Sequence, residues 1–238
     1  MENLQLKVAL RVLEYAGITT CLVGEIALNY YNVPRVVHDL EICVPENLVQ
    51  KASAILRDTG LFGFDDIPDF DNYNEYKRGF PRLRSSPWIS PASNFLILAD
   101  TSYGLAPLID HIVPRENSSS DPEFSSQILG MVSAAELKGL PMPRLPSLIV
   151  GLCQKYLQSY DDIAMIAAEQ LVDGMNLDES WCERNLHPSK ITPEARQLAT
   201  RLAAGRISRL DEFSENTITC FIADESEAKR LQKIPGYE

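Results

Sequence analysis

A chain of 238 residues with 45% hydrophobic and 23% charged side chains holds enough apolar content for one large domain or two small ones, which excludes an extensively disordered protein. Its formal net charge of −11 excludes a broad, non-specific nucleic-acid binder, because phosphate contacts need clustered lysine and arginine. A local basic pocket, or a nucleotide arriving with Mg²⁺, stays compatible with that charge.

In chain order, residues 3–16 have the period of an amphipathic helix, with Leu6, Leu10 and Leu13 on one stripe and Gly17 as its stop. Lys7, Arg11 and Glu14 interrupt that pattern, which is unlike a signal peptide. No apolar run is long enough to cross a bilayer, so no membrane partner is expected and the expected compartment is cytoplasmic. "ITTCLVG" reads as a buried strand, "EIALNYY" as a short helix begun by an acid, and "VVHDLEICV" as the next strand, ended by Pro45. "PENLVQKASAILRDTG" reads as a helix with proline in its first turn and Gly60 at its end. Residues 61–78 are acidic, aromatic and rich in turn formers, and read as an irregular excursion. "FPRLRSS" and "SNFLILADTSY" read as strands, and residues 113–127 as a polar surface loop. "SAAELKGL" reads as a short helix, "PSLIVGLCQKYLQSYDDIAMIAAEQLVDGM" as one or two long helices, and Pro193 opens another. The tail "SENTITCFIADESEAKRLQK" reads as a short strand and a helix. Strands first and helices later imply an α/β (α+β) chain with a helical second half.

Five cysteines form no CxxC pair, and His38, His111 and His187 match no zinc-ligand spacing. The cysteines read as buried free thiols in a reducing compartment. Likewise no GxSxG, HExxH, phosphate-loop or dinucleotide fingerprint is present.

The chemistry concentrates in "VVHDLEICV". Side chains alternate along a strand, so Asp39, Glu41 and Cys43 share one face, while Leu40, Ile42 and Val44 share the other and should meet a helix. Two carboxylates about 6–7 Å apart along a strand can reach one or two divalent cations, and Mg²⁺ is commonly held by such a pair together with substrate phosphates. An edge strand with a solvated acidic face would show the same residues. His38 falls on the opposite face from Asp39, so the two are not paired as acid and base.

The segment around this pair resembles the nucleotidyltransferase superfamily (the DNA polymerase β-like fold), and more closely its minimal, AbiEii-like and LinB-like branch. There a Gly-Gly or Gly-Ser turn follows the first strand, then comes Ala-Leu in a short helix, an arginine, and two acids one residue apart on the next strand. Here Gly24, Ala27, Leu28, Arg35, Asp39 and Glu41 stand in that order, with 15 residues from Gly24 to Asp39. The resemblance is carried by about 25 residues. It implies a nucleotidyltransferase-like mixed sheet with flanking helices over residues 1–128 and a helical domain over 129–238. It implies Asp39 and Glu41 as metal ligands, with Asp100, at the end of "FLILAD", as the third carboxylate. Mg²⁺ is the implied cofactor, and ATP or another NTP the implied substrate. The implied partners are a nucleotide and an acceptor that the residues do not specify. Gly24, Glu25 and Arg35 line the implied phosphate side, and Lys155 is placed like a family lysine that reaches the triphosphate from a later helix.

The pattern breaks at Glu25, an acid where the family has a second small residue. At the N-terminus of a helix that carboxylate would satisfy amides that otherwise attract phosphate, gaining about 0.3–1 kcal/mol for the helix. It would also repel an incoming triphosphate by roughly 1 to 4 kcal/mol at about 4 Å. Lys77 and Arg78, with Arg82 and Arg84, cluster in "YKRGFPRLR" and can grip phosphate; equally they balance the acidic "DDIPDFD" before them. Tyr73, Tyr76 and Phe80 interleave with them as base-stacking or core aromatics. Three readings follow. One is a Mg²⁺-dependent transferase moving a nucleotidyl group from an NTP to a small molecule, a protein or an RNA end. The second is a catalytically degenerate binding or scaffold protein of the same fold. The third is a transferase of secondary metabolism using another activated substrate. The Asp39/Glu41 pair favours the first and Glu25 the second.

Overall fold

The computed structural model describes residues 4–65, 75–87, 92–114, 137 and 139–206. The first helix, α1 (Leu4–Tyr15), buries Leu6, Ala9 and Leu13 at helical spacing. It ends where Gly17 takes φ +70° and the Ile18 amide donates back to the Leu13 carbonyl at 2.9 Å, a left-handed turn that favours glycine. The chain then runs through β1 (Cys21–Leu22), α2 (Gly24–Tyr30) and β2 (Leu40–Val44). A single 3₁₀ turn (Glu46–Leu48) follows Pro45 and leads into α3 (Val49–Asp58), which buries Val49, Ala52 and Leu56. Next come β3 (Phe62–Phe64), a 3₁₀ turn at Glu75–Lys77, β4 (Arg82–Ser85), β5 (Asn94–Ala99) and a 3₁₀ turn at Asp100–Tyr103.

The five strands form one mixed sheet in the order β1-β2-β5-β4-β3, with β2 and β5 parallel and every other pair antiparallel. Strands buried on both faces read as continuous apolar runs. So it is here: all five residues of β2 are buried, and β5 is buried from Phe95 to Ala99. The solvated edge strand is therefore excluded, and Glu41 is an acid inside an otherwise apolar central strand. α1 packs on α3, and α3 lies against β3 and β5. The outer edge of β1 is covered too, because the Leu22 amide donates to the Pro141 carbonyl at 2.7 Å.

The second half is helical: α4 (Leu145–Ser159), α5 (Asp162–Gly174), α6 (Glu179–Asn185) and α7 (Pro193–Ala204), with α4 packed on both α5 and α7. The expected mixed sheet, flanking helices and helical second half are all present. The long apolar stretch from residue 145 is two helices because Tyr160 is left-handed (φ +53°) and the Asp161 carboxylate caps α5, accepting from the Ile163 and Ala164 amides. Three elements depart from expectation. The strand expected over "VVHDLEICV" begins only at Leu40, so Asp39 lies just before β2. Phe62–Phe64, inside the presumed irregular excursion, adds an edge strand to β4. Helix α6 also arises where none was expected, capped by Asp178, which accepts from the Trp181 amide. The polar loop at 113–127 lies almost wholly outside the described residues, and the boundary at 128/129, the tail from 214 and Cys220 lie wholly outside them. Among the described residues no helix is long and apolar enough to cross a membrane.

Asp161 offers a direct check on this frame. Burial alone would raise its carboxyl, but the Lys155 hydrogen bond and charge, with the two capping amides, outweigh it and hold Asp161 below the usual 3.8. A lowered carboxyl adds stability above its unfolded value, and that stability is lost as pH falls through the folded one. Asp161→Ala is expected to cost about 1–2 kcal/mol at pH 7, with the gap to wild type shrinking in acid; urea titrations at both pH values measure it.

Candidate functional site

The carboxylate pair is built by the β1–α2–β2 unit. The Val23 amide donates to the Glu41 carbonyl at 3.1 Å, so the start of α2 lies directly beside β2. Gly24 has φ +61°, and a Cβ placed on it would stand 2.5 Å from Glu41 Oε2. Only glycine fits, because the Glu41 carboxylate occupies the space a side chain would need. Asp39 is 4% exposed and Glu41 fully buried.

Burying two carboxylates side by side is costly unless each is paired, and the chain supplies the partners itself. Lys77 Nζ lies 2.8 Å from Asp39 Oδ2 and 3.1 Å from Glu41 Oε1, bridging the pair. The Tyr76 hydroxyl donates to Glu41 Oε1 at 2.6 Å and the Tyr103 hydroxyl to Oε2 at 2.9 Å. Arg82 arrives through the sheet: Glu41 is in register with Leu96, and Leu96 with Arg82, which puts all three on one face. Its Nη2 stands 2.9 Å from Asp39 Oδ1, an ion pair off the line of a hydrogen bond, while its Nε donates to Asp65 Oδ2 at 2.8 Å. Every oxygen of the pair thus faces a cation or hydroxyl of the protein.

The protonation states follow from this packing. Burial alone would lower the Lys77 ammonium, but the charges of Glu41, Asp39 and Glu25, with the Asp39 hydrogen bond, outweigh it and raise Lys77 above 10.5. Burial, then the Glu41 charge, pushes both Tyr76 and Tyr103 well above the usual phenol range, so each stays a donor.

The helical half buttresses this centre. Gly151 of α4 meets the Asp100–Tyr103 turn so closely that a Cβ on it would fall 1.9 Å from the Tyr103 carbonyl oxygen. One turn further along α4, Lys155 pairs with Asp161 Oδ2 at 3.0 Å, and its ammonium lies 4.5 Å from the centre of the Tyr76 ring and 5.7 Å from that of Tyr103.

The structure therefore gathers Gly24, Asp39, Glu41 and Lys77 in one place, with Glu25 and Lys155 alongside. The other expected residues go elsewhere. Asp100 is 4% exposed, and its Oδ1 accepts from the Glu46 amide at 3.1 Å and the Thr101 amide at 3.0 Å, which fixes the turns after β2 and β5. Arg35 is held to α2 by a reciprocal bond pair with Asn29, at 2.7 and 2.9 Å, and its guanidinium donates to Gln170 of α5. Arg78 is on the exposed side of its turn, and Arg84 is exposed on β4. Tyr103 was not foreseen: "DTSYG" has no local signal, and its hydroxyl reaches Glu41 from the turn that follows β5, the parallel neighbour of β2.

A divalent ion does not fit this arrangement. Its position between Asp39 and Glu41 is taken by the Lys77 ammonium, and a doubly charged ion about 4 Å from that ammonium would meet a repulsion of roughly 8 kcal/mol at the dielectric typical of protein sites. Among the described residues no three His, Cys, Asp or Glu side chains group as metal ligands.

Glu25 lies in the first turn of α2, where a carboxylate could satisfy free amides. Its Oε1 instead lies 3.2 Å from His38 Nδ1, and its Oε2 is buried without a hydrogen-bond partner. Burial pushes the Glu25 carboxyl up, and the Glu41 charge adds to this; Lys77 and His38 oppose. A raised carboxyl costs stability once ionised, so wild-type stability falls as pH rises from 4.5 through the raised folded value. Glu25→Gln is expected to remove that fall and to gain about 1 kcal/mol at pH 7, read from denaturant midpoints across the acid-to-neutral range.

No protein-family model and no curated protein matches the chain. Among solved structures it is similar to the solution structure of the antibiotic-resistance factor ANT(2'')-Ia, at 9% identity, covering 89% of this chain and 97% of that one, with a TM-score of 0.37.

Proposed function

We propose that this chain is a nucleotidyltransferase-like protein that works as a non-catalytic binding or scaffold module, its carboxylate pair kept as the electrostatic centre of the domain. The order of Gly24, α2, Asp39 and Glu41 supports the superfamily reading. The observation that carries the non-catalytic reading is that Lys77, Arg82, Tyr76 and Tyr103 together face all four oxygens of the pair. A metal-dependent transfer site needs those oxygens open to the ion and the substrate phosphates.

A second reading is supported by the pair itself, since two carboxylates already converge on one cation. In it, Asp39 and Glu41 would hold Mg²⁺ in place of the Lys77 ammonium, and the chain would move a nucleotidyl group from ATP or another NTP to a small molecule, a protein or an RNA end. Bound there, the ion would activate the attacking group and stabilise the leaving pyrophosphate; Lys77, Arg78 and Lys155 would hold phosphates. The test is pyrophosphate release from each NTP with Mg²⁺ or Mn²⁺. No release is expected. Metal-dependent release that disappears in Asp39→Asn/Glu41→Gln would overturn the non-catalytic reading and establish the second.

A further inference from the structure

We infer that the Lys77 ammonium is a tethered replacement for a divalent cation, so that this site excludes metal because of one side chain, and removing that side chain opens a metal site. The inference rests on the non-catalytic reading above and deepens it.

Three observations carry it. First, Lys77 Nζ bridges oxygens from both acids, at 2.8 and 3.1 Å, the position that Asp39, just before β2, and Glu41, within it, offer to a cation. Second, the side chain that puts it there is only 10% exposed, so the ammonium is a fixed part of the interior and not a passing surface contact. Third, both acids keep partners besides Lys77: Glu41 the Tyr76 and Tyr103 hydroxyls, Asp39 the Arg82 guanidinium. Deleting the lysine frees Asp39 Oδ2 and takes the ammonium off Glu41 Oε1, leaving two carboxylates, hard donors of the kind that take Mg²⁺ or Mn²⁺. The buried charge left behind is −2, met in part by Arg82, which itself is shared with Asp65.

The experiment titrates Mn²⁺ into the full chain, followed by the loss of its free-ion paramagnetic resonance signal and by the thermal midpoint. Wild type is expected to show no saturable binding up to about 1 mM and no thermal shift. Lys77→Ala is expected to bind at least tenfold more tightly and to regain thermal stability as Mn²⁺ is added, and Lys77→Ala/Glu41→Gln is expected to lose both gains. Lys77→Ser serves as a second variant, with room for a metal-bound water. Saturable binding to wild type that Asp39→Asn abolishes would overturn the inference. So would folded Lys77→Ala and Lys77→Ser that bind no Mn²⁺, or a failure of Mn²⁺ to restore either variant if both are unfolded without it. Pyrophosphate release by wild type, by contrast, would overturn the non-catalytic reading; silent variants beside an inert wild type overturn only the role given to Lys77.

Discussion

Lys77→Ala, without added metal, is expected to unfold about 3–5 kcal/mol more easily than wild type at pH 7, the usual cost of removing one partner from a buried ion pair. The loss comes less from the attraction forgone than from leaving Asp39 and Glu41 buried, with Arg82 paired to Asp39 alone. Two controls separate this from a packing defect. In Lys77→Ala/Glu41→Gln the second change removes one of the stranded charges, so the double variant should cost less than the two single variants added together. The pH dependence gives the second control. Lys77 is raised above 10.5 in the fold, so its contribution is fully present below 10.5 and lost as pH climbs through the folded value. Wild type should therefore lose stability in that alkaline window while Lys77→Ala does not. Urea midpoints at pH 7 and in alkali measure both; a single-variant cost under about 1 kcal/mol would mean the pair is in effect solvent-screened.

Gly151→Ala is the second large effect. The added methyl would stand 1.9 Å from the Tyr103 carbonyl oxygen and 3.0 Å from its carbonyl carbon, both backbone atoms that cannot rotate away. Either α4 or the turn after β5 must move, and a cost near 3 kcal/mol is expected, the upper part of the range for overpacking. Because Tyr103 also holds Glu41 Oε2, the shift should reach the carboxylates. Chemical denaturation gives the energy, and the near-ultraviolet circular dichroism of the tyrosines reports the local change. An unchanged tyrosine signal with a loss below about 1 kcal/mol would mean that α4 is loosely docked.

The contrast between these residues shows what was legible in the sequence. The α-β-α-β-α order of the first sixty residues, the carboxylate pair and the helical second half all follow from local period and caps, and they are present. Gly24 also announces itself, as a glycine between a strand and a helix. Lys77 does not. "YKRG" looks like a phosphate-gripping or solvated cluster, because nothing local says that one of two adjacent basic residues turns inward and the other outward. That is decided by β5 lying between β2 and β4, which carries Arg82 and the preceding turn over the acids. Asp100 is ambiguous in sequence for a related reason. An acid at the end of a parallel strand suits a third ligand, but it suits equally well a turn that needs an acceptor for the Glu46 and Thr101 amides. Edge strand β3 is hidden because Gly63 and two phenylalanines are its whole length, too short for an alternating pattern.

The contact between Gly24 and Glu41 ties two positions together in one direction. A side chain at 24 would meet the Glu41 carboxylate and carry the strain of φ +61°, whereas glycine at 24 accepts any residue at 41. A change at 41 therefore leaves the glycine undisturbed, while a change at 24 forces the carboxylate to move or be lost. The glycine and the two acids can stand unchanged whether or not a cation of the chain lies between them, and here that cation is Lys77.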